Sequence, residues 1–208
     1  MPRSSSALTH FKRVDPHFYR ATKAHHSSLP TQLPEKKTRA QLFESLVRIV
    51  ISQQLGTAAA RSIFLRVKKA CKGKLAPELI LKTRVSALQS AGLSGAKIKT
   101  LKAIATVVQK GTLDLLELKK ISEAIAAERL LQIWGLGPWS VEMFMMFSLG
   151  RPDVFSPGDL GLIRAIEAIY GLPKGASREK LLTISQRWSP YRTFASLLLW
   201  RTRDTKAG

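Results

Sequence analysis

A short glycine-rich segment, residues 131–140, contains the residue types that can bind an anion. Its sequence, LQIWGLGPWS, is an apolar helix end followed by two glycines and a proline. Gly135 and Gly137 permit left-handed backbone angles and close approach, and Pro138 suits the first position of a new helix. Backbone N–H groups at such a helix start face outward at the positive end of the helix dipole, where a phosphate can bind. The alternative is that Gly135 only caps a helix.

Metal chemistry is poorly supported by the residue types. The single cysteine, Cys71, cannot form an intramolecular disulfide, a four-thiolate iron–sulfur site or a structural zinc site. His25 and His26 are adjacent, but no cysteine or carboxylate cluster stands near them. We therefore expect no catalytic metal.

The elements that must position these residues are helices. From Arg39 onward apolar residues recur at spacings of three and four, without the sustained alternation typical of strands, which predicts an all-α fold. Residues 1–36, which hold all four histidines, are predicted to be a loosely structured arm with one short helix starting near Asp15-Pro16. Further helices are predicted from Arg39 and at about 57–71, 78–91, 96–109, 113–118, 121–133, 138–148, 159–170, 177–187 and 190–203.

The net charge of +20, from 34 Lys and Arg against 14 Asp and Glu, indicates a polyanionic partner. The cations are spread along the chain, with a moderate enrichment between Arg61 and Lys82. Charge alone does not choose among nucleic acid, an acidic membrane surface and a crowded assembly such as a ribosome. A hydrophobic content of 45% is enough for a core, which excludes a disordered basic tail.

Membrane and secretory classes are not favoured by the sequence. The apolar stretches fall far short of the roughly 20 residues that a membrane span needs. The N-terminus lacks the continuous apolar region of a secretory signal. We therefore expect an intracellular protein without membrane partners.

Two motifs in order resemble one superfamily of DNA glycosylases. Residues 131–140 look like its helix-hairpin-helix, and residues 153–162, DVFSPGDLGL, look like its Gly/Pro-rich loop with an aspartate, Asp159, about 22 residues after the hairpin. Within this HhH-GPD superfamily the chain is similar to the 3-methyladenine DNA glycosylase II branch, the AlkA-like alkylbase glycosylases. Supporting matches are Asp15-Pro16, ISQQL at residues 51–55, and Pro190-Tyr191-Arg192 leading to Trp200.

The resemblance implies two helical lobes with a central cleft. Residues 1–36 would be a basic N-terminal arm that packs with the C-terminal helices. Residues 37–150 would form a central helical barrel, with the helix-hairpin-helix at about 121–148. Residues 151–208 would contribute the Gly/Pro-Asp loop and the C-terminal helices.

The resemblance also implies the catalytic residue. Asp159 would stabilise the oxocarbenium-like sugar of an extruded nucleotide and orient or deprotonate the attacking water. From the sequence alone it could instead be only the N-cap of the following helix. Superfamily members that also cut the DNA strand have a lysine at the position of Trp139, so the implied reaction is hydrolysis without lyase activity.

The base pocket implied by the resemblance includes Trp139 and Trp200, whose ring faces would attract a cationic base. Both could instead be core residues. Met143 and Leu160 stand where better-known branch members have tyrosines, so the pocket is less aromatic than the family pattern. Trp134 and Trp188 are expected to be packing residues.

Contacts to DNA are implied for two turns. Gln53, Gln54 and Leu55 begin a turn that would insert a wedge into the gap left by the flipped nucleotide, with Gln54 the first choice and Leu55 the second. The alternative is a helix-terminal turn without DNA contact. Phosphate-binding amides are expected at Gly56 and Thr57, and at Gly135 and Gly137 of the hairpin.

The implied function is excision of alkylated purines, of the 3-methyladenine and 7-methylguanine type, from double-stranded DNA by base flipping. A catalytically weak homologue that binds abasic or distorted DNA is the alternative, to which Met143 and Leu160 lend support. A basic RNA-binding assembly protein is a third class. We expect a DNA-associated monomer that needs no cofactor, with a structural monovalent cation allowed at the hairpin.

Overall fold

A computed structural model describes residues 3–34 and 37–204, in which the regular elements are helices and no strand occurs. This confirms the all-α prediction. None of the helices in the described part of the chain is long and apolar enough to cross a membrane. The α-helices, numbered in chain order, are α1 Ser4–Val14, α2 Pro16–Ala21, α3 Arg39–Ser52, α4 Thr57–Ala70, α5 Pro77–Lys82, α6 Val85–Ser90, α7 Gly95–Gln109, α8 Glu123–Leu131, α9 Pro138–Phe147, α10 Leu160–Tyr170, α11 Arg178–Gln186 and α12 Arg192–Asp204.

The chain divides into two compact units. The first, which we call the terminal unit, combines the residues up to Pro34 with those from Gly150 onward. The second, the central unit, lies between them in sequence and ends at Leu149. Helices α1, α2 and α10 to α12 therefore belong to the terminal unit, and α3 to α9 belong to the central unit.

The core of the terminal unit is built from both ends of the chain. Phe11 and Phe18 pack edge to face, with ring centroids 5.3 Å apart, and Phe18 lies 4.7 Å from the buried ring of Trp188. The buried Asp15 carboxylate accepts hydrogen bonds from the Phe18 N–H at 3.0 Å and from the Tyr170 hydroxyl at 2.6 Å. Asp15 therefore caps α2 and joins it to α10 across the core.

The prediction of a loosely structured arm is wrong for the described N-terminal residues. Helix α2 begins at Pro16 as expected, but α1 precedes it, and a 3-10 helix, Lys23–Ser28, follows. The serine-rich start of α1 has a weak helix propensity, and its N-cap, Arg3, makes no side-chain cap. Ala7 and Phe11, one turn apart, are fully buried in the core of the terminal unit. Tertiary packing rather than local sequence therefore stabilises α1.

Helix α3 is the element around which the central unit is packed. Thr38 and Gln41 form a capping box at its start. Its apolar stripe is buried against α4, α7 and α9. The stripe consists of Leu42, Phe43, Leu46, Val47, Val50 and Ile51.

Two helix predictions in the central unit are corrected. The single helix expected at 78–91 is two helices, α5 and α6, because the backbone is extended at Thr83 and Arg84. The Thr83 hydroxyl donates to the Leu79 carbonyl and closes the last turn of α5. The helix expected at 113–118 is only a short 3-10 turn, Glu117–Lys119, preceded by an Asp114 carboxylate that accepts the Leu116 N–H.

Candidate active site

The glycine-rich segment connects α8 to α9 in the central unit as a tight turn. Gly135 has a φ of 83°, and a Cβ there would collide with the side chain of Thr100 on α7. Only glycine fits this position without strain. Gly137 is different: its backbone is extended, and a Cβ there would meet no other atom within 4 Å. The expected left-handed conformation is therefore found at Gly135 and not at Gly137.

Gly137 is the N-cap of α9, and Pro138 is the first helical residue, as predicted. No side chain caps this helix start. The first N–H groups of an α-helix have no acceptor within the helix, and they point along its axis at the positive end of the dipole. The start of α9 thus has the geometry that an anion needs, and phosphate binding there stays a prediction.

Residues 52–56, which we call the wedge turn, connect α3 to α4. The Leu55 N–H donates to the Ser52 carbonyl at 3.1 Å, and the backbone at Gln53 is extended, with a φ of −52° and a ψ of 126°. Gln54 has a φ of 57°, a left-handed conformation that is uncommon for a residue with a side chain. Gln54 and Leu55 are exposed at this turn. Such strain persists where surrounding contacts impose it, and it is frequent at functional sites.

The family resemblance predicts that Gln53 belongs to the wedge, but its side chain is hydrogen-bonded to the hairpin. Its Nε2 donates to the Gly135 carbonyl at 3.2 Å and to the Ser140 hydroxyl at 2.8 Å. Insertion of Gln54 or Leu55 into DNA remains a prediction, whereas Gln53 joins the wedge turn to the hairpin.

Helix α4 begins directly after the wedge turn. Gly56 is its N-cap, with an extended backbone and no side-chain cap, and Thr57 is its first helical residue. Both residues are exposed. This helix start resembles that of α9 in having a glycine N-cap, and the predicted phosphate contact there is untested.

Trp139, on the first turn of α9, lines two adjacent cavities of the central unit. One, of about 400 Å³, also has Leu55 and Thr57 in its wall. The other, of about 320 Å³, has Met143 and Lys37. The structure thus brings together Trp139, Met143 and the end of the wedge turn.

Cations in these cavity walls were missed by sequence reasoning. Arg48 lines both cavities, and Arg61 lines the larger one. Lys37 donates to the Phe147 carbonyl at 2.7 Å, and burial, together with the charges of Lys119 and Arg48, lowers its pKa. No periodicity or motif marks Lys37, because it lies before the first predicted helix of this unit.

Asp159 lies in the terminal unit as the N-cap of α10. Its Oδ1 accepts the Leu162 N–H at 3.0 Å and the Trp200 Nε1–H at 2.9 Å. The N-cap predicted from the sequence alone is therefore present, and the indole of Trp200 adds a second donor from α12. Gly161 was overlooked: a Cβ there would lie 3.0 Å from Asp159 Oδ1 and 3.1 Å from Trp200 Cδ1. The hydrogen bonds from Leu162 and Trp200 hold the partly exposed carboxylate in one orientation.

Leu160 follows Asp159 and is one of the exposed large hydrophobic residues of the chain, at 67%. It lines a groove of about 700 Å³ in the terminal unit together with Arg164, Lys174 and Arg203. Its wall therefore carries three cations and one carboxylate, that of Glu167. No sequence signal singled out these three cations.

The remaining candidates separate into buried and exposed residues. Trp188 is fully buried, as expected of a packing residue. Trp134 is not buried: it is 47% exposed, and the Lys99 ammonium lies 4.1 Å from its ring centroid.

Within residues 3–34 and 37–204, no three His, Cys, Asp or Glu side chains cluster closely enough to hold a metal ion.

Asp153 lies before α12 and anchors the start of that helix. Its carboxylate accepts from Arg192 Nε at 2.8 Å and from the Ser189 hydroxyl at 2.8 Å. Burial acts to raise the pKa of Asp153, but the hydrogen bonds from Arg192 and Ser189 outweigh it and hold the pKa below its ordinary value. Asp153 thus stabilises the start of the helix that carries Trp200.

A family model, described as HhH-GPD superfamily base excision DNA repair protein, matches residues 47–190. The chain belongs to this superfamily. The matched span includes the wedge turn, the hairpin and Asp159, and it ends before α12 and Trp200. The predicted family is thereby confirmed.

Relatives of this HhH-GPD protein include a DNA-3-methyladenine glycosylase 1 from Schizosaccharomyces pombe, which is 34% identical over 95% of this chain and 87% of its own length. Among solved structures, a 3-methyladenine DNA glycosylase from Schizosaccharomyces pombe in complex with abasic DNA has a TM-score of 0.87 at 34% identity, covering 96% of this chain and 97% of its own. A DNA-3-methyladenine glycosidase from Bacillus halodurans has a TM-score of 0.77 at 37% identity, covering 95% and 90%.

Proposed function

We propose that this HhH-GPD protein is a base excision repair glycosylase that hydrolyses the N-glycosidic bond of alkylated purines in double-stranded DNA. The names of its relatives and the abasic DNA bound by one of them support this substrate class. The observation in the chain itself that carries the proposal is the Asp159 carboxylate, oriented by Leu162 N–H and Trp200 Nε1–H. The product is an abasic site and a free base.

The chemistry requires little of the protein beyond a placed negative charge. An alkylated purine such as 3-methyladenine carries a formal positive charge, so it leaves without a strong general acid. As the bond breaks, positive charge develops on the sugar, and a fixed carboxylate stabilises it. Asp159 also orients or deprotonates the water that attacks the sugar carbon. Two donors on one carboxylate oxygen keep this charge in place without reorganisation.

Recognition of the base requires extrusion from the duplex, which costs a few kcal/mol. In the proposal, Gln54 at the apex of the wedge turn fills the gap, with Leu55 beside it. The starts of α4 and α9 hold backbone phosphates through their N–H groups. Trp139 and Met143 of the central unit are proposed to contact the flipped base, and so are Leu160 and Trp200 of the terminal unit. The protein acts as a DNA-associated monomer.

The proposed reaction is monofunctional. Trp139 has no amine, so it cannot form the Schiff base through which lyases cleave the strand. Hydrolysis uses water alone and needs no cofactor. A monovalent cation at the hairpin would be structural. Backbone oxygens are present for it: Ile133 O accepts the Leu136 N–H and Gly135 O accepts from Gln53, and each has a second lone pair.

The test is the release of 3-methyladenine and 7-methylguanine from methylated duplex DNA, measured by chromatography of the free bases. Asp159→Asn keeps an oxygen that can accept from Leu162 and Trp200 but removes the negative charge. We expect the rate to fall by about 100- to 10,000-fold. Glu179→Gln, an exposed acid at the start of α11, controls for the loss of one negative charge and should leave the rate unchanged.

An Asp159→Asn variant as active as the wild type would overturn the catalytic assignment. A wild-type protein that binds abasic duplex tightly but releases no base would support the alternative, a weak homologue that recognises abasic or distorted DNA. Equal affinity for RNA and for abasic duplex would support neither reading of a DNA repair protein.

A further inference from the structure

The wedge turn is held by a lysine from another helix of the central unit. Lys97 lies on the first turn of α7, and its Nζ donates to the Ile51 carbonyl at 2.8 Å and to the Gln53 carbonyl at 2.8 Å. The last carbonyls of an α-helix have no N–H partner within the helix, and a cation there also complements the helix dipole. Burial lowers the pKa of the Lys97 amine, because an ammonium group that is partly withdrawn from water loses hydration. Lys97 therefore caps α3 where the turn begins.

The same turn is tied to the hairpin from its other side. The Gln53 side chain donates to the Gly135 carbonyl and to the Ser140 hydroxyl, and Ser140 is 2% exposed. Thr100 lies one turn after Lys97 on α7, on the same face of that helix. Its side chain occupies the space that a Cβ of Gly135 would need. Helix α7 thus contacts the wedge turn through Lys97 and the hairpin through Thr100.

These contacts surround a strained residue. Gln54, with a φ of 57°, directly follows Gln53, whose carbonyl and side chain are both bonded. A left-handed conformation at a non-glycine residue persists only when its neighbours impose it. Lys97 and Gln53 supply that constraint.

We infer that Lys97 is a positioning residue, which with Gln53 couples the wedge turn to the hairpin so that Gln54 is placed in register with the phosphate that the hairpin binds. The inference rests on the proposed function, since it gives the wedge and the hairpin their DNA contacts. Lys97 acts through the backbone of the turn and not on the DNA. Its loss should therefore slow base extrusion and excision more than it weakens binding.

The test compares three variants on one duplex that contains a single alkylated purine beside 2-aminopurine, a fluorescent reporter of unstacking. Lys97→Met keeps the apolar stem and removes the donor. Lys97→Arg keeps a donor. Lys102→Met, further along α7, removes the same charge without touching the turn.

For Lys97→Met we expect the single-turnover excision rate to fall by about 10- to 100-fold, the usual cost when a distant substitution places the substrate slightly out of position. The 2-aminopurine signal should fall with it, while affinity for undamaged duplex matches that of Lys102→Met. Lys97→Arg should restore most of the rate. A Lys97→Met variant that excises as fast as Lys102→Met, or one that loses only affinity, would overturn the inference.

Base release by the wild type and amide hydrogen exchange without DNA distinguish a failure of the inference from a failure of the proposed function. If the wild type releases no alkylated base, the proposed function fails. The coupling is then measured without DNA, by amide hydrogen exchange of residues 52–56 and 132–140. Lys97→Met should accelerate exchange in both segments, and acceleration in neither would refute the coupling. Should Lys97→Met fail to fold, Gln53→Met, which leaves the lysine cap in place, is expected to accelerate exchange in the same two segments.

Discussion

At the scale of single residues, the two aromatic positions expected to line the base pocket differ in their surroundings. Trp200 donates its indole N–H to Asp159, so it positions the carboxylate whatever else it contacts. Trp139 lies between two cavities and has a lysine, Lys37, in the wall of one of them. Tryptophan at position 139 excludes an amine at that position, but it does not exclude one from the cavity wall.

Borohydride trapping on abasic duplex tests the absence of lyase activity. A lyase forms an imine with the opened sugar, and reduction makes that link permanent. We expect no covalent adduct with the wild-type protein, and an adduct with Trp139→Lys would show that the assay can detect one at this position. Trapping by the wild type would contradict a monofunctional reaction. Loss of that adduct in Lys37→Met would then identify the amine.

At the scale of elements, the hairpin shows which of two similar glycines the fold requires. Gly135 has a positive φ and no room for a side chain beside Thr100. Gly137 is extended, and a Cβ added there would have open space around it. The sequence treats the two alike, since both belong to one Gly-x-Gly.

Gly135→Ala should lower the free energy of unfolding by about 1 to 3 kcal/mol, because it adds a strained φ and a clash with Thr100. Gly137→Ala should cost at most about 1 kcal/mol, the usual effect of an unfavourable N-cap. Urea denaturation measures both. Equal losses for the two variants would show that the contact between α7 and the hairpin does not restrict position 135.

At the scale of the whole molecule, the charge excess exceeds anything that internal ion pairs can neutralise. If each of the 14 acids paired with a different cation, a net charge of +20 would still remain. Several acids are committed within the fold, such as Asp15 in the core and Asp153 on Arg192. The excess therefore faces solvent or a polyanion.

Binding to undamaged duplex should weaken steeply with salt, by about 0.9 log units per log unit of salt for each phosphate contacted. Asp159→Asn should leave that slope nearly unchanged, because it alters the excision chemistry and not the phosphate contacts. Fluorescence anisotropy across a salt series measures the slope. A flat dependence would mean that the +20 charge serves something other than DNA.

Most helices could be predicted because their signals are local. The apolar period and the first residues of α3, α4, α7 and α9 lie within each segment. Helix α3 therefore begins at the predicted residue, and α4, α7 and α9 begin and end within a residue of the predicted limits. Helix α1 was missed because its stability comes from burial of Ala7 and Phe11 in the core. The prediction of a single helix over 78–91 was wrong for a local reason. The backbone is extended at Thr83, which interrupts an otherwise continuous helical pattern of apolar residues.

The sequence by itself determined the fold class and the family resemblance, through helical periods and short motifs in a fixed order along the chain. It also predicted the helix start at Pro138 and offered the N-cap at Asp159, both of which depend on residues within a few positions of one another. Only the tertiary structure decided that Trp200 bonds Asp159, that Gln53 bonds the hairpin and that Lys97 caps α3. These partners lie 41, 87 and 44 to 46 positions apart. Because such contacts form only when helices pack, no local pattern in the chain specifies them.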